Sequence, residues 1–303
     1  MWKYWLLFKR IGLGNQERIG LIWVLIVYAV LINVAYLYLN PLIYMISTMF
    51  KGTSDLLDPT VRWIPRTLEW GNLKHAWQGL NFPSAFKNSA IISGLGALFH
   101  VASCSIAGYA FARFKFPGRN LLFGALLFSF LVPPQTVTIP LYILMRKLEL
   151  LGTPFAVIGP ALFGHGIRGA LFVIIFRQFF RTLPKEMDEA ARIDGAGAFR
   201  IYARVMLPMA KPAILTVFLF SLVWHWNDTF MSSLMVGNWT PLSLSLTDFN
   251  QRLSGTFDGK PSFDLNETVR MAASFLIILP LLIVYSFAQR WFVQGVERSG
   301  LVE

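Results

Sequence analysis

Residues 183–208, LPKEMDEAARIDGAGAFRIYARVMLP, decide how this chain is read. The stretch is charged and helix-forming, and it lies between two apolar runs long enough to cross a bilayer. Pro184 suits a first helical turn, where its missing N–H is not needed. Glu186, Asp188 and Glu189 follow, and acidic groups are favourable at a helix N-terminus. Asp188 and Arg192 are four residues apart and can pair. Gly195 and Gly197 end this helix and permit a sharp turn. A second helix is expected from about Phe199 to Leu207, stopped by Pro208. The result is a helix-turn-helix island outside the membrane.

The side chains of the island leave two readings open. Ala190 and Ala191 are small, so a partner could approach the helix backbone closely, and Glu189 beside them offers an acceptor. Arg200 and Arg204 share a face and repel each other unless an anion or acidic surface lies opposite. These features suit a short helix docking in a groove. They equally suit an amphipathic hairpin on the inner leaflet, with its arginines on lipid phosphates.

Outward from the island the chain is apolar. Of 303 residues, 55% are hydrophobic and 14% charged, with a mean hydropathy of +0.54, more apolar surface than a soluble chain hides. Six runs reach the roughly 20 residues that span a ~30 Å hydrocarbon core: 19–38, 88–111, 121–145, 154–176, 213–236 and 269–292. The first is too long for a signal-peptide core and lacks a small-x-small cleavage site. Cys104 is the single cysteine, which excludes a disulfide framework or a cysteine metal cluster. The four histidines are dispersed and the carboxylates sit in loops, so no hydrolytic or metal constellation appears.

Net charge is +11, yet the basic residues occupy short loops beside apolar runs, a pattern of membrane orientation rather than nucleic-acid binding. With six spans both termini share a side. That side, with the 111–121 loop and the island, carries sixteen Lys and Arg; the other carries ten over longer loops, Arg146 and Lys147 being the exception among short ones. The positive-inside rule puts both termini and the island in the cytoplasm. The organisation expected is an N-terminal interfacial segment (1–18), a transmembrane domain (19–292) and a tail (293–303). The domain includes the cytoplasmic loop 177–210 and outer loops 50–86 and 237–268. Trp63, Trp70 and Trp77 in the first outer loop fit interfacial aromatics or a docking surface, and Pro65 and Gly71 prevent a single helix across them.

The island resembles the EAA loop of the membrane subunits of binding-protein-dependent ABC importers: Glu189-Ala190-Ala191, then Gly195, then Val205-Met206-Leu207-Pro208 at the family's spacing, with Val205 where Ile is usual. Asn88-Ser89, Ala110-Phe111-Ala112-Arg113, Phe116, Gly118-Arg119 and Trp226-Asn227-Asp228 resemble the carbohydrate-uptake branch, which includes the maltose permease subunits. The resemblance implies that Glu189, Ala190, Ala191, Asp194, Gly195, Leu207 and Pro208 form a coupling surface for a cytoplasmic ATPase dimer. The tail, Gly295 to Glu303, departs from the family pattern. No G-x-x-x-x-G-K-[ST] phosphate loop occurs, so the resemblance implies that ATP and Mg belong to the partner ATPase and that this chain needs no cofactor. It also implies a second permease subunit, as a heterodimer, and an extracytoplasmic solute-binding protein.

Polar groups inside the runs are the candidates for a solute path, since a charge at a helix centre costs about 2.5–3.5 kcal/mol and so faces a cavity or a partner. In the fourth run, Gly159-Pro160 and Gly164-His165-Gly166-Ile167-Arg168-Gly169 read as a weakened helix. His165 and Arg168 either line the path or serve packing, Arg168 pairing with a partner subunit or capping freed carbonyls. In the fifth, Trp226, Asn227 and Asp228 offer the aromatic, amide and carboxylate groups that hold sugars, or interhelical hydrogen bonds. Pro133-Pro134 in the third suggests a kink or bend. The expectation is an all-α, six-span permease subunit in a prokaryotic cytoplasmic membrane, without enzymatic activity of its own. An ion-gradient-driven transporter or channel is the alternative.

Overall fold

Prolines and glycines inside the apolar runs, more than the runs themselves, set this architecture. The structure, a computed structural model, describes residues 14–15, 18–249 and 263–300. The interfacial segment expected at the N-terminus lies almost wholly outside the described residues, as do the centre of the second outer loop and residues 301–303. Contacts divide the chain into two units, Met1–His75 with Ser262–Phe275, and Ala76–Pro261 with Leu276–Glu303. Apart from a two-residue antiparallel ladder, β1 (Gly14–Asn15) with β2 (Arg18–Ile19), the described regular structure is helical.

The first unit contains α1 (Leu21–Met49) and α2 (Thr53–Leu57), and α3 (Gly71–Gly79) begins in it. The most apolar stretch of α1 has a mean hydropathy of 2.3 and no buried residue, the pattern of a helix facing lipid all round. Its C-terminal carbonyls would be orphaned without a cap. Asn72 Nδ2 donates to the carbonyls of Met49 and Lys51, each at 3.0 Å. Buried Lys51 Nζ donates to the carbonyls of Val61 and Arg62, at 2.8 and 2.9 Å, which folds the 50–72 loop against the helix end. Trp63 and Trp70 lie in irregular chain and Trp77 in α3, as Pro65 and Gly71 dictate, and all three are exposed.

The second unit is organised on α4 (Phe82–Arg113). Its buried positions include Ser89, Ser93, Ala97, His100, Cys104, Ser105 and Gly108, a stripe of small and polar groups at three- and four-residue spacing. Small side chains let neighbouring helices approach closely. The closest approach is at Gly108, where a Cβ would lie 2.5 Å from Phe176 Cβ and 2.9 Å from Arg177 N. Phe172, Phe176 and Phe180 are buried along that contact, the last two with rings stacked, and Tyr109, Ile201, Tyr202 and Met206 belong to the same core.

The third run is two helices, α5 (Arg119–Leu131) and α6 (Pro134–Lys147), bent by 103°. A residue before proline is driven out of the α region. Here two successive residues are, Val132 (ψ 125°) and Pro133 (ψ 131°), so the bend expected at Pro133-Pro134 is a full turn of the chain. The fourth run is not one helix either. It is α7 (Phe155–Ile158), a 3-10 turn (Gly159–Phe163), an irregular segment, then α8 (Gly169–Thr182). At 1.5 Å per residue the 14 residues of α8 cover about 21 Å, short of the hydrocarbon core. Beyond α9 (Glu186–Ile193) come α10 (Ala198–Ile201), a π turn (Tyr202–Met206) and α11 (Leu207–Met209), so the second island helix runs on through Pro208, which sits in a first turn. It meets α12 (Lys211–Asn227) at 78°. Then follow α13 (Phe230–Met235), α14 (Leu242–Thr247) and α15 (Phe263–Gly300), in which Glu267–Gln289 has a mean hydropathy of 2.3. Among the described residues three helices are long and apolar enough to cross a membrane, or five if each bent pair counts as one.

Candidate functional site

The island is tied down by one buried carboxylate. Asp188 is 5% exposed on a helix that is otherwise largely open. Tyr109 Oη donates to its Oδ1 at 3.1 Å, and Arg113 Nε lies 3.3 Å from its Oδ2, a close charge contact rather than an aligned hydrogen bond. Arg113 Nη2 donates to the carbonyl of Leu183 at 2.7 Å, at the island's start. The last turn of α4 therefore holds the first turn of α9. Sequence spacing suggests Arg192 as the partner of Asp188; the structure gives it Arg113 and Tyr109 instead, because the Asp188 face of α9 turns inward.

The turn that follows is a Schellman motif. Ala196 N donates to Ala191 O at 2.9 Å and Gly195 N to Arg192 O at 3.0 Å, with Gly195 at φ +76°. An L-residue in this left-handed region costs about 1–2 kcal/mol, which is why glycine belongs here. Ala191 and Ala196 are half-buried against the core, as the motif's apolar contact. Asp194 is the C-cap of α9, its N–H donating to Ala190 O at 3.1 Å.

What faces outward is mixed. Glu189, Ala190, Asp194 and Gly195 are exposed, and Pro208 too, while Leu207 is half-buried. Two large apolar residues stand open among them, Ile193 at 86% and Phe199 at 76% exposed. Neither stood out in the sequence, although an apolar residue on the outer face of a charged hairpin was the available signal. Arg200 and Arg204 are exposed as expected.

Within the apolar runs the broken fourth segment is the most polar construction. His100, fully buried on α4, bridges it to α12: Nε2 donates to the carbonyl of His165 at 3.1 Å, and Nδ1 lies 2.8 Å from Ser221 Oγ. His225 Nδ1 donates to Ser221 O at 2.8 Å. Ser103 Oγ donates to Ala161 O at 2.6 Å and Cys104 Sγ to Gly169 O at 3.6 Å. Backbone carbonyls at and beside the break are thus met from α4, which the sequence alone does not disclose. His165 and Arg168 themselves are exposed. Arg168 is held at φ +60°, and its guanidinium carbon lies 5.7 Å from the centroid of Trp224, which stacks on Phe220.

The other three path candidates have partners within the chain. Trp226 is 5% exposed, and its Nε1 donates to Ile277 O at 3.1 Å. Asn227 Nδ2 donates to Val223 O at 2.9 Å. Asp228 accepts from Ser232 N at 2.8 Å, from its Oγ at 2.9 Å and from Met231 N at 3.2 Å, and so caps α13. The structure brings Arg168 to Trp224, not to the Trp226–Asp228 group.

These features define a helical membrane protein that carries a firmly anchored helical hairpin between two of its apolar segments. The chain belongs to the family described as binding-protein-dependent transport system inner membrane component, whose pattern it matches over residues 104–298. A putative ABC transporter permease protein of Caldicellulosiruptor sp. is 32% identical over 261 residues, 86% of this chain and 90% of that protein. The arabinooligosaccharides transport system permease protein AraQ of Halalkalibacterium halodurans is 30% identical, over 88% of this chain and 92% of its own. A bacterial ABC transporter involved in the import of the acidic polysaccharide alginate contains a chain that superposes with a TM-score of 0.72. At 24% identity, covering 88% of this chain and 95% of that one, it establishes a shared fold. Family membership makes the chain a transport component of the inner membrane. The ion-gradient alternative is left without support.

Proposed function

We propose that the chain is the permease subunit of an ABC importer for a sugar or oligosaccharide, crossing the membrane six times with both termini and the island in the cytoplasm. One observation carries the coupling role: α9 is fixed from behind through Asp188, Arg113 and Tyr109 while Glu189, Ala190, Ile193, Gly195 and Phe199 face out. A rigid helix with an open apolar and small-residue face is what docking in a groove requires. The occupant of that role is a cytoplasmic ATPase dimer, which holds the ATP and Mg. A second permease subunit completes the path and an extracytoplasmic binding protein delivers the solute. The carbohydrate class follows from relatives named for arabinooligosaccharides and for melibiose, raffinose and stachyose.

The geometry suggests how force travels. Motion of α9 passes through Asp188 to the end of α4, and motion of the second island helix passes through the 78° bend to α12. His100 ties both helices to the broken fourth segment, where Arg168 and Trp224 offer a cation and an aromatic face to a hydroxyl-rich solute.

The test is purification of the tagged chain from its own membranes, then ATPase assay in lipid with the binding protein. An ATPase that co-purifies and turns over faster with binding protein and sugar supports the reading. A chain that purifies alone and carries gradient-driven flux ends it.

A further inference from the structure

The loop after α4 and the end of α8 bring together four cations, none of them paired with a carboxylate among the described residues. No Asp or Glu occurs between Glu69 and Glu149, and none again until Glu186. Among the described residues the ion pairs are Arg66 with Asp58 and Arg113 with Asp188. Arg113 is therefore neutralised, whereas Lys115, Arg119, Arg177 and Arg181 have no ion-pair partner among the described residues. Arg119 and Arg181 lie close enough to Arg177 to repel it. The Arg177 guanidinium carbon sits 3.8 Å from the centroid of the Phe123 ring, and its buried Nε has no hydrogen-bond partner among the described residues.

Beside this cluster Lys115, Phe116, Gly118, Arg119, Asn120 and Leu121 line a shallow, largely open hollow of about 320 Å³. Beside it lies the first turn of the 13-residue α5, where Arg119 N and Leu122 N already donate to the carbonyls of Phe116 and Gly118 and the positive end of the helix dipole favours an anion. Directly along α5, Leu121, Leu122, Phe128 and Leu131 are 79%, 54%, 69% and 74% exposed. Repelling cations over a hollow, with an open apolar helix face leading away from it, match one kind of molecule: a phosphate-bearing head with long apolar chains.

We propose that this hollow is a headgroup site for an anionic phospholipid, phosphatidylglycerol being the probe, with its acyl chains along the exposed face of α5. Lys115 and Arg119 hold the phosphate, and Arg177 and Arg181 supply the surrounding positive field. Charge complementarity separates this occupant from a zwitterionic lipid, and the apolar face separates it from a free anion. The site neighbours the end of α4 that anchors the island through Arg113, so a bound lipid would brace the loop between the second and third runs. The inference rests on the chain crossing a membrane and not on which solute it carries.

The experiment is native mass spectrometry of the delipidated complex titrated with phosphatidylglycerol or phosphatidylcholine. Each basic residue near an anionic surface contributes roughly a fivefold gain in affinity. Lys115→Gln should weaken phosphatidylglycerol binding about fivefold and Lys115→Gln with Arg119→Gln about twentyfold or more, phosphatidylcholine failing to compete throughout. Lys115 is exposed, so its single variant keeps the test independent of any folding loss at Arg119. Equal binding by wild type and variants overturns the proposal. Displacement of the lipid by millimolar inorganic phosphate overturns it in favour of a small-anion site. Lipid that binds only after the ATPase is stripped from the complex overturns it in favour of a protein interface. Every readout is lipid occupancy, so failure of sugar transport leaves the result intact.

Discussion

Arg113 and Asp188 meet at 3.3 Å with side chains only 6% and 7% exposed, at the point where the helical core hands over to the extramembrane island. A surface pair there would add little. A buried one acts as a conditional latch, because either partner alone is a charge without compensation in a dry site.

Breaking the latch from one side should therefore cost more than removing it. Asp188→Ala strands Arg113, and loss of one partner of a buried pair costs about 3–5 kcal/mol. The expected outcome is rapid proteolysis within residues 183–208 and loss of binding-protein-stimulated ATPase activity. Arg113→Met together with Asp188→Leu should be milder than either single change. Losses that simply add in the double variant would mean the two residues act separately.

Ile193 and Phe199 are open enough that stability should not depend on them. Ile193→Ser and Phe199→Ser are expected to change thermal stability by no more than about 0.5 kcal/mol. If they anchor the ATPase, each should weaken its retention on the tagged chain by roughly thirtyfold, as loss of about 2 kcal/mol at an interface anchor implies. Glu189→Lys and Gly195→Asp should likewise leave the chain in the membrane while uncoupling transport, the second also through its left-handed φ. Undiminished retention and uptake in all four variants would separate the island from the ATPase.

Gly108 and Gly124 provide a paired test of the packing. A Cβ at Gly108 would strike Phe176, whereas one at Gly124 meets nothing within 4 Å. Gly108→Ala should destabilise by about 1–3 kcal/mol through overpacking, and Gly108→Val should abolish folded yield. Gly124→Ala should match wild type in monodisperse yield and melting temperature. Similar behaviour at the two positions would refute the close crossing of α4 and α8.

The sequence was legible where local chemistry decides the structure and opaque where a distant partner does. Gly195 as the end of α9 follows from glycine's tolerance of positive φ, and Pro133-Pro134 as a break follows from proline geometry; only the size of the bend, 103°, went beyond expectation. The fourth run looked like one weakened helix because hydropathy averages over its six residues from Gly164 to Gly169. Its true interruption is met by His100, Ser103 and Cys104, some sixty residues earlier, donating to the backbone carbonyls of His165, Ala161 and Gly169. Spacing on one helix allows Asp188 to pair with Arg192; no local rule nominates Arg113, 75 residues away. Trp226 and Asp228 attracted notice by residue type, yet Trp224, two residues earlier, is the ring that meets Arg168.

Arg168 is where the path reading is most exposed to test. Its guanidinium lies over Trp224, and Arg stacks on an aromatic face in a way that Lys does not reproduce. If the pair contacts solute, Arg168→Gln should raise the KM for uptake severalfold with the complex intact. Arg168→Lys should recover little, and Trp224→Leu should match the loss while Trp224→Phe keeps most of the function. If instead Arg168 pairs with the second permease subunit, the same variants would reduce co-purification of that subunit before any change in KM. Uptake kinetics and subunit stoichiometry measured on the same preparations distinguish the two roles. Normal values of both in Arg168→Gln would exclude each of them and leave Arg168 as an exposed residue of the broken segment, with His100 and Ser103 holding its backbone.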